Sequence, residues 1–327
     1  MDTPTITIAD ISRAAARIAG EAVRTPVLES AVLNADVGAR VLIKPECLQR
    51  SGSFKFRGAF NRLAQLNAAE KKAGVVAWSS GNHAQGIAAA AQILGVHAAI
   101  VMPKDAPKVK ADKTRAYGAE VIGYDRYTEN REEIGTRLSE ERGAVLVPSY
   151  DDPHIIAGQG TCGFEFAEQV RTMGAPLDAL LVCCGGGGLI AGSSLAFAAL
   201  SPDTKTYSVE PAEFDDHLRS LKSGEREGNS PEARSICDAL LAPQPGALTF
   251  PINKQTLAGG FSVTDDEVRA AMAYAFSTLK LVIEPGGAVA LAAVLSGKLD
   301  VKGRTVGVVI SGGNVDPALF AQTIAGA

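Results

Sequence analysis

Short, almost wholly apolar runs alternate with longer stretches of helical spacing along the whole chain. Eight of the runs read as strands: RVLIK (40–44), GVVAWSS (74–80), VHAAIVM (96–102), EVIGYD (120–125), AVLVPS (144–149), ALLVCC (179–184), KTYSVE (205–210) and TVGVVIS (305–311). Strands this apolar are covered on both faces, which is the habit of parallel sheets. Between them lie amphipathic or alanine-rich segments: NHAQGIAAAAQILG, KVKADKTRAYGA, ENREEIGTRLSEERG, TCGFEFAEQVRTMG and DDEVRAAMAYAFSTLKL. The alternation predicts an α/β fold, and in such folds ligands sit beyond the carboxyl ends of the strands. Four of the strands fall between residues 72 and 148, which predicts a small domain there, set into a large one made of 1–71 and 149–327.

Composition narrows the function classes. At 327 residues, 46% hydrophobic and 21% charged, the chain can bury a large core or two lobes. A net charge of −4 and the lack of any lysine and arginine run argue against a nucleic-acid partner. No apolar run reaches the ~18 to 20 residues that span a bilayer, and the N-terminus lacks a basic head followed by an apolar core, so a cytoplasmic protein is expected. The five cysteines, Cys47, Cys162, Cys183, Cys184 and Cys237, lack paired metal spacing and read as buried free thiols, with Cys183 and Cys184 on opposite faces of a strand.

The strand ends carry the chemistry. ALLVCC opens into GGGGLIAG (185–192), where glycines expose backbone N–H groups and the following helix adds its positive end, so a phosphate is expected. Gly186, Gly188 and Ala191 also satisfy G-x-G-x-x-A, with Glu210 at the end of the next strand, which keeps an NAD-linked dehydrogenase as an alternative. A P-loop is excluded, because no Gly-Lys-Ser/Thr follows. A second strand end, SSGNHAQG (79–86), suits a carboxylate or phosphate, or caps a helix. A third is VVISGGN, with Ser311 to Asn314. The fourth, SVEPAEFDDHLRS, gathers Glu210, Asp215 and Asp216, which suit a hard divalent cation or form a solvated acidic turn. Lys55 stands between Phe54 and Phe56 in SGSFKFRGA. Apolar neighbours lower a lysine pKa and keep the neutral amine available for a Schiff base, whereas an edge-strand lysine is the alternative. Joined to a phosphate loop that lacks a nucleotide signature elsewhere in the chain, this lysine suggests pyridoxal 5'-phosphate.

The motifs KPECLQRSGSFKFRGA, SSGNHAQG, IAGQGT, CGGGGLIAG, EPGGAVA and ISGGN, in this order, resemble those of the fold type II pyridoxal-phosphate enzymes, in particular the serine/threonine dehydratase and serine racemase group, hydroxyaspartate dehydratase-like members included. The resemblance runs nearly end to end and implies the tryptophan synthase β-like fold, two open twisted mostly parallel sheets in a large and a small domain, and a homodimer. It implies that Lys55 joins the cofactor covalently, Phe54 packs on its ring, Asn82 bonds the 3'-hydroxyl and Ser311 faces the pyridine nitrogen. Gly185, Gly186, Gly187, Gly188 and Leu189 then hold the phosphate, and Ser79, Ser80, Gly81 and His83 hold the substrate carboxylate. Glu210 and Asp216, with the carbonyl of Phe214, match a site for Mg²⁺, Ca²⁺ or Mn²⁺.

The implied reaction is dehydration of a β-hydroxy-α-amino acid of the serine, threonine, 3-hydroxyaspartate or phenylserine type to a 2-oxo acid and ammonia, with Lys55 as base. A neutral Ser311 hydroxyl does not hold a proton on the ring nitrogen, which favours elimination over transamination. The family divides at Ser80, where many threonine dehydratases have alanine and racemase-like members have a serine that serves as acid or base opposite the lysine. Amino-acid racemisation by Lys55 and Ser80 is therefore the alternative. SICDALLAPQPGALTFPI departs from the TIADG pattern of threonine dehydratases, which puts threonine in doubt as substrate. Arg131 either meets a second substrate carboxylate or pairs with Glu129 or Glu133. No regulatory domain is expected after residue 327, and the lysine motif differs from that of the cysteine-synthase branch.

Overall fold

The computed structural model describes residues 6–106 and 108–326. Among them run β1 Leu28–Glu29, β2 Arg40–Pro45, β3 Val75–Trp78, β4 Ala98–Pro103, β5 Glu120–Tyr124, β6 Val145–Leu146, β7 Ala179–Cys183, β8 Lys205–Pro211, β9 Gly259–Val263 and β10 Thr305–Ile310. They form a six-stranded sheet, ordered β1-β2-β10-β7-β8-β9, and a four-stranded sheet, ordered β5-β4-β3-β6. Every pairing is parallel except that of the short β1 with β2. The fold is thus the α/β, fold type II arrangement, and the apolar strands are indeed buried on both faces.

Each of the eight expected runs contains a strand. AVLVPS supplies only Val145–Leu146, because the chain leaves the sheet at Pro148, which has no N–H for a ladder. β1 and β9 were not expected. β9 begins with Gly259 and Gly260 and is half-exposed on a sheet edge, so its apolar signal is weak.

The helix Pro153–Thr172 starts well before its expected TCGFEF segment. Asp152 caps it, accepting from the N–H groups of His154 (2.8 Å) and Ile155 (2.9 Å), and Pro153 fills the first turn. Glycines at 158 and 160 lower helix propensity, but packing overrides this. A Cβ on Gly158 would lie 2.7 Å from Gly58 Cα, and one on Gly160 would lie 2.9 Å from Gly192 Cα. Helices Lys55–Leu63 and Gly188–Leu200 therefore touch this helix backbone to backbone.

One apolar core surrounds the larger sheet. A second lies against the smaller sheet, where Ala84, Ile87 and Ala88 of helix Asn82–Leu94 meet Phe56, Phe60 and Leu63. Beside it a charged cluster is buried. Arg57 Nε donates to Glu46 Oε2 (2.7 Å), Arg57 Nη2 to Glu46 Oε1 (2.8 Å) and Arg57 Nη1 to Glu165 Oε2 (3.2 Å). Lys44 pairs with Glu165 and donates to the Thr25 carbonyl at 2.8 Å. Two cations and two anions balance there, which is the condition for tolerating buried charge. The cluster ties the strand β2 side of the sheet to the helix that starts at Lys55. Among the described residues, no helix is long and apolar enough to cross a membrane.

Candidate active site

The carboxyl ends of β3, β7 and β10 converge on a cavity of about 460 Å³. From β10, the Ser311 carbonyl accepts the Phe54 N–H at 3.0 Å, and Gly312 bridges to Ser53, so that strand end is bonded to the turn bearing Lys55. Lys55 opens the helix Lys55–Leu63 and its Nζ lies 5.2 Å from the Phe54 ring centroid, donating to the Ser149 carbonyl at 2.9 Å. The side chain opens onto the cavity, yet its amino end is closely surrounded, and that desolvation pulls its pKa down to about 8. An amine poised so close to neutrality can take up and return a proton.

At the end of β7 the chain enters the glycine loop. Gly187 has φ +90°, a conformation costly for a side chain, and a Cβ on Gly186 would collide with the Tyr150 ring at 2.4 Å. The helix Gly188–Leu200 follows, and its first N–H groups have no intrahelical acceptor. Among the described residues no other group accepts from the N–H of Gly187, Gly188 or Leu189. A cradle that a Cβ would fill, with free donors and a helix N-terminus, fits a phosphate.

The loop after β3 forms another wall. Ser79 Oγ accepts from Gly81 N at 3.1 Å, and Ser80 stands half-buried beside it. Asn82 Nδ2 donates to Glu284 Oε1 (2.6 Å), while Asn82 Oδ1 accepts from Asn314 Nδ2 (2.8 Å). His83 is directed at the Val147 carbonyl (3.0 Å), which can only accept, so Nε2 carries the proton; burial, then the charge of Lys55, push its pKa down to about 3 and keep it neutral. Ser311 and Cys183 adjoin within the cavity wall, and burial pushes the Cys183 thiol up to about 11.

Lys55, Phe54, Ser79, Ser80, Gly81, Asn82, His83, the glycine loop with Leu189, Ser311 and Arg131 all line this one cavity. Arg131 opens the helix Arg131–Arg142. The ion pairs considered for it from sequence do not form: Glu129 faces Lys104 and the Asp125 N–H, and Glu133 accepts from Asn130.

The acidic group from SVEPAEFDDHLRS lies outside the cavity, and the reading of it as a solvated turn is corrected: Glu210 and Asp216 are wholly buried. Glu210 accepts from the N–H groups of His217 (2.9 Å) and Leu218 (2.8 Å), Asp216 accepts from Asn229 Nδ2 (2.6 Å), and Asp215 pairs instead with Arg219 (2.7 Å). Burial and the neighbouring Asp216 charge raise the Glu210 pKa well above the carboxylate range. Phe214 is buried between them in sequence, its N–H turned onto the Pro211 carbonyl. Wholly buried and outside the cavity that the glycine loop lines, Glu210 is not placed to meet a ribose there, which removes the ground for a dinucleotide site.

Sequence reasoning missed Glu284. It precedes the apolar helix Pro285–Leu295 and would be read as its cap, but its side chain makes no cap bond and reaches into the cavity, where burial lifts its pKa to about 7. A carboxylate before Pro-Gly-Gly at an apolar helix start was the available signal. Tyr150, Gln159, Lys110 and Asp238 were missed as well, since they reach the cavity from loops and helices distant in sequence.

A lysine at a helix start that is bonded to one strand end, a phosphate cradle at another strand end and the Ser311 hydroxyl in the same cavity wall define a site for pyridoxal phosphate. The family described as "Pyridoxal-phosphate dependent enzyme" matches residues 18–312. The chain belongs to that family, is an enzyme, and takes pyridoxal phosphate as its cofactor. It is 47% identical to an L-threo-3-hydroxyaspartate ammonia-lyase of Pseudomonas sp., over 97% of this chain and 98% of that protein. It is 42% identical to a serine racemase of Schizosaccharomyces pombe, over 96% and 95%. Among solved structures, a threonine deaminase of T.th. superposes with a TM-score of 0.90 at 43% identity, covering 95% of this chain and 99% of that one. Maize serine racemase superposes with a TM-score of 0.92 at 36% identity, covering 99% and 98%.

Proposed function

We propose that the enzyme is a dehydratase, an ammonia-lyase converting a β-hydroxy-α-amino acid to a 2-oxo acid and ammonia, with a 3-hydroxyaspartate-type substrate favoured. The observation that carries the reading is the Lys55 amine, its pKa pulled down to about 8 by desolvation, set in one cavity with the Ser311 hydroxyl and the glycine loop. Bound pyridoxal phosphate withdraws electrons from the substrate Cα, which acidifies its proton. Phe54 would pack on the cofactor ring, and Asn82, braced by Glu284 and Asn314, would meet its 3'-hydroxyl. Lys55 Nζ removes the Cα proton and returns it to the departing β-hydroxyl, which leaves as water, and one water then hydrolyses the resulting imine to the 2-oxo acid and ammonia. The Ser79, Ser80 and Gly81 turn, backed by His83, orients the substrate carboxylate. Arg131, which has no acidic partner among the described residues, meets a second carboxylate, in keeping with the named activity of the Pseudomonas relative.

Glu210, the Phe214 carbonyl and Asp216 fit a divalent cation such as Mg²⁺, Ca²⁺ or Mn²⁺, since Asp216 Oδ2 is buried without a partner among the described residues. Residues 72–148 are proposed as the small domain, and a homodimer and a cytoplasmic setting as the working form. Racemisation is the second reading, favoured by Ser80 in the same cavity as Lys55, because two acid–base groups on opposite faces of Cα are what it requires.

Incubation with L-serine, L-threonine, the 3-hydroxyaspartate isomers and phenylserine, with assay of both 2-oxo acid and the opposite enantiomer, tests this. Oxo acid is expected, fastest from a 3-hydroxyaspartate isomer, and Ser80→Ala lowers any enantiomer formation more than elimination. Opposite enantiomer without oxo acid overturns the proposal.

A further inference from the structure

Next to the glycine loop, outside the cavity that Lys55 enters, Cys184 Sγ, a Glu210 oxygen and a His217 ring nitrogen lie within 4.8 Å of one another, all buried. His217 Nδ1 is 3.9 Å from Glu210 Oε1 and 3.8 Å from Asp216 Oδ2. Among the described residues, His217 Nδ1 and Asp216 Oδ2 have no hydrogen-bond partner, although both residues are wholly buried. Bare polar atoms in such surroundings are costly, and a buried carboxylate more so. A separation of 3.8 Å is too long for a hydrogen bond between them. It is close to the roughly 3.3 to 3.8 Å that separates neighbouring ligand atoms around a tetrahedral zinc ion.

We propose that this cluster is a site for a borderline divalent cation of the zinc type, with His217 Nδ1 and Cys184 Sγ as ligands beside carboxylate oxygens of Glu210 and Asp216. It therefore prefers Zn²⁺ or Co²⁺ to Mg²⁺ or Ca²⁺. The inference deepens, and rests on, the reading that a cation binds at Glu210 and Asp216. Magnesium and calcium select oxygen ligands, whereas thiolate and imidazole suit zinc and cobalt. On ligation the Cys184 proton passes to solvent and His217 binds as the neutral ring.

The other ring nitrogen of His217 is already served. Asn253 Nδ2 lies 3.0 Å from Nε2, and Asn253 Oδ1 has no partner. Turning that amide by half a rotation lets Oδ1 accept the Nε2 proton, the outer bond that aims Nδ1 at a metal. The same pair abuts the phosphate cradle, since a Cβ on Gly187 would lie 2.7 Å from His217 Nε2 and 2.8 Å from Asn253 Nδ2. Cys184 directly precedes Gly185. A cation held by Cys184 and His217 thus fixes the loop at its start and at its middle, and slows loss of the cofactor.

Metal-stripped holoenzyme, as wild type, His217→Ala and Cys184→Ser, is titrated separately with Zn²⁺, Co²⁺, Mg²⁺ and Ca²⁺. Retained metal, melting temperature, Co²⁺ difference absorption and the rate of cofactor release are read. Wild type is expected to show a thiolate-to-cobalt charge-transfer band that Cys184→Ser lacks. His217→Ala weakens Zn²⁺ binding by ~10-fold or more and leaves Mg²⁺ binding unchanged. Zn²⁺ slows cofactor release in wild type and has no such effect in His217→Ala. Absence of the charge-transfer band in wild type that retains Mg²⁺ or Ca²⁺ overturns the zinc-type site and leaves an oxygen-only cation site standing. That measurement needs no variant to fold. If no metal is retained and none raises the melting temperature, both readings fall.

Discussion

Gly192→Ala puts the backbone contact between helices Pro153–Thr172 and Gly188–Leu200 to the test. Without that contact, replacing a glycine inside a helix by alanine stabilises by about 1 kcal/mol. With it, the new Cβ lies 2.5 Å from Gly160 Cα and 2.5 Å from the Ile156 carbonyl oxygen. Ordinary carbon contacts fall at ~3.5 to 4.0 Å, so the helices must separate by roughly 1 Å. Both colliding groups are backbone and cannot rotate away. The expected net loss is about 3 kcal/mol, the upper end of the usual overpacking range. For a chain of this size that lowers the melting temperature by on the order of 6 °C. Because Gly188 opens the displaced helix, the phosphate cradle moves relative to Lys55, and an error of ~1 Å in such a site can cost about 100-fold in rate. Calorimetry of the holoenzyme, absorbance titration of the stripped protein with pyridoxal phosphate, and kcat are the measurements. Gly160→Ala presses on the same contact, so the double variant should lose less than the two single losses combined. A Gly192→Ala enzyme that melts above wild type and binds the cofactor as tightly refutes the contact and the spacing inferred from it.

Glu46→Gln should destabilise by about 3 to 5 kcal/mol, because it leaves Arg57 with one fewer buried anion, and adding Lys44→Met should recover part of the loss by restoring neutrality; urea denaturation checks both. The Glu46 carboxyl is held below its ordinary 4.5, its burial outweighed by Arg57 in charge and hydrogen bonds, so its stabilisation is present above pH 4.5 and is lost as pH falls through the lowered value. Glu284 behaves in the opposite sense. Its pKa is raised from 4.5 to about 7, chiefly by burial, so the folded state carries no penalty below pH 4.5, a growing one between 4.5 and 7, and a constant one above. Relative to cofactor-free wild type, Glu284→Gln should therefore gain on the order of 3 kcal/mol across that window. Denaturation curves that differ by a constant amount from pH 5 to pH 8 would contradict this. Lys55→Ala should lose the borohydride-reducible visible band and all dehydratase activity while keeping its fold, seen by absorbance and circular dichroism.

Local features were legible in the sequence. The strands β2, β7 and β10, the glycine loop and Lys55 between its phenylalanines announce themselves through apolar runs and turn chemistry within ten residues or so. What depended on distant partners did not. Glu284 reads as a helix cap until Asn82, 202 positions away in the chain, is seen to donate to it. The start of helix Pro153–Thr172 was hidden because its glycines weaken the local signal and make sense only against Gly58 and Gly192. β9 was hidden for a similar reason, its glycines and edge position erasing the apolar pattern. Asp215 and Asp216 are adjacent and chemically alike in sequence, yet one meets Arg219 near the surface and the other is buried against Asn229. Burial separates them, and burial is a property of the fold.

The segment from 225 to 248 runs without helix or strand, and its residues 238–246 line the cavity beside the cradle, where the Gly246 N–H donates to the Gly186 carbonyl at 3.2 Å. Side chains make several of its anchors: Ser235 Oγ and the Ile236 N–H both reach the Asp265 carboxylate, the Ala247 and Leu248 N–H groups reach that of Asp151, and Arg226 reaches the Pro245 carbonyl. The phosphate cradle, by contrast, is made of main chain, which no exchange of side chains can rewrite. One enzyme thus holds an inherited half and an editable half. Replacing side chains within 238–245 reshapes the cavity wall while the main-chain donors of the cradle stay as they are, which gives a physical route by which substrate preference can change on one scaffold.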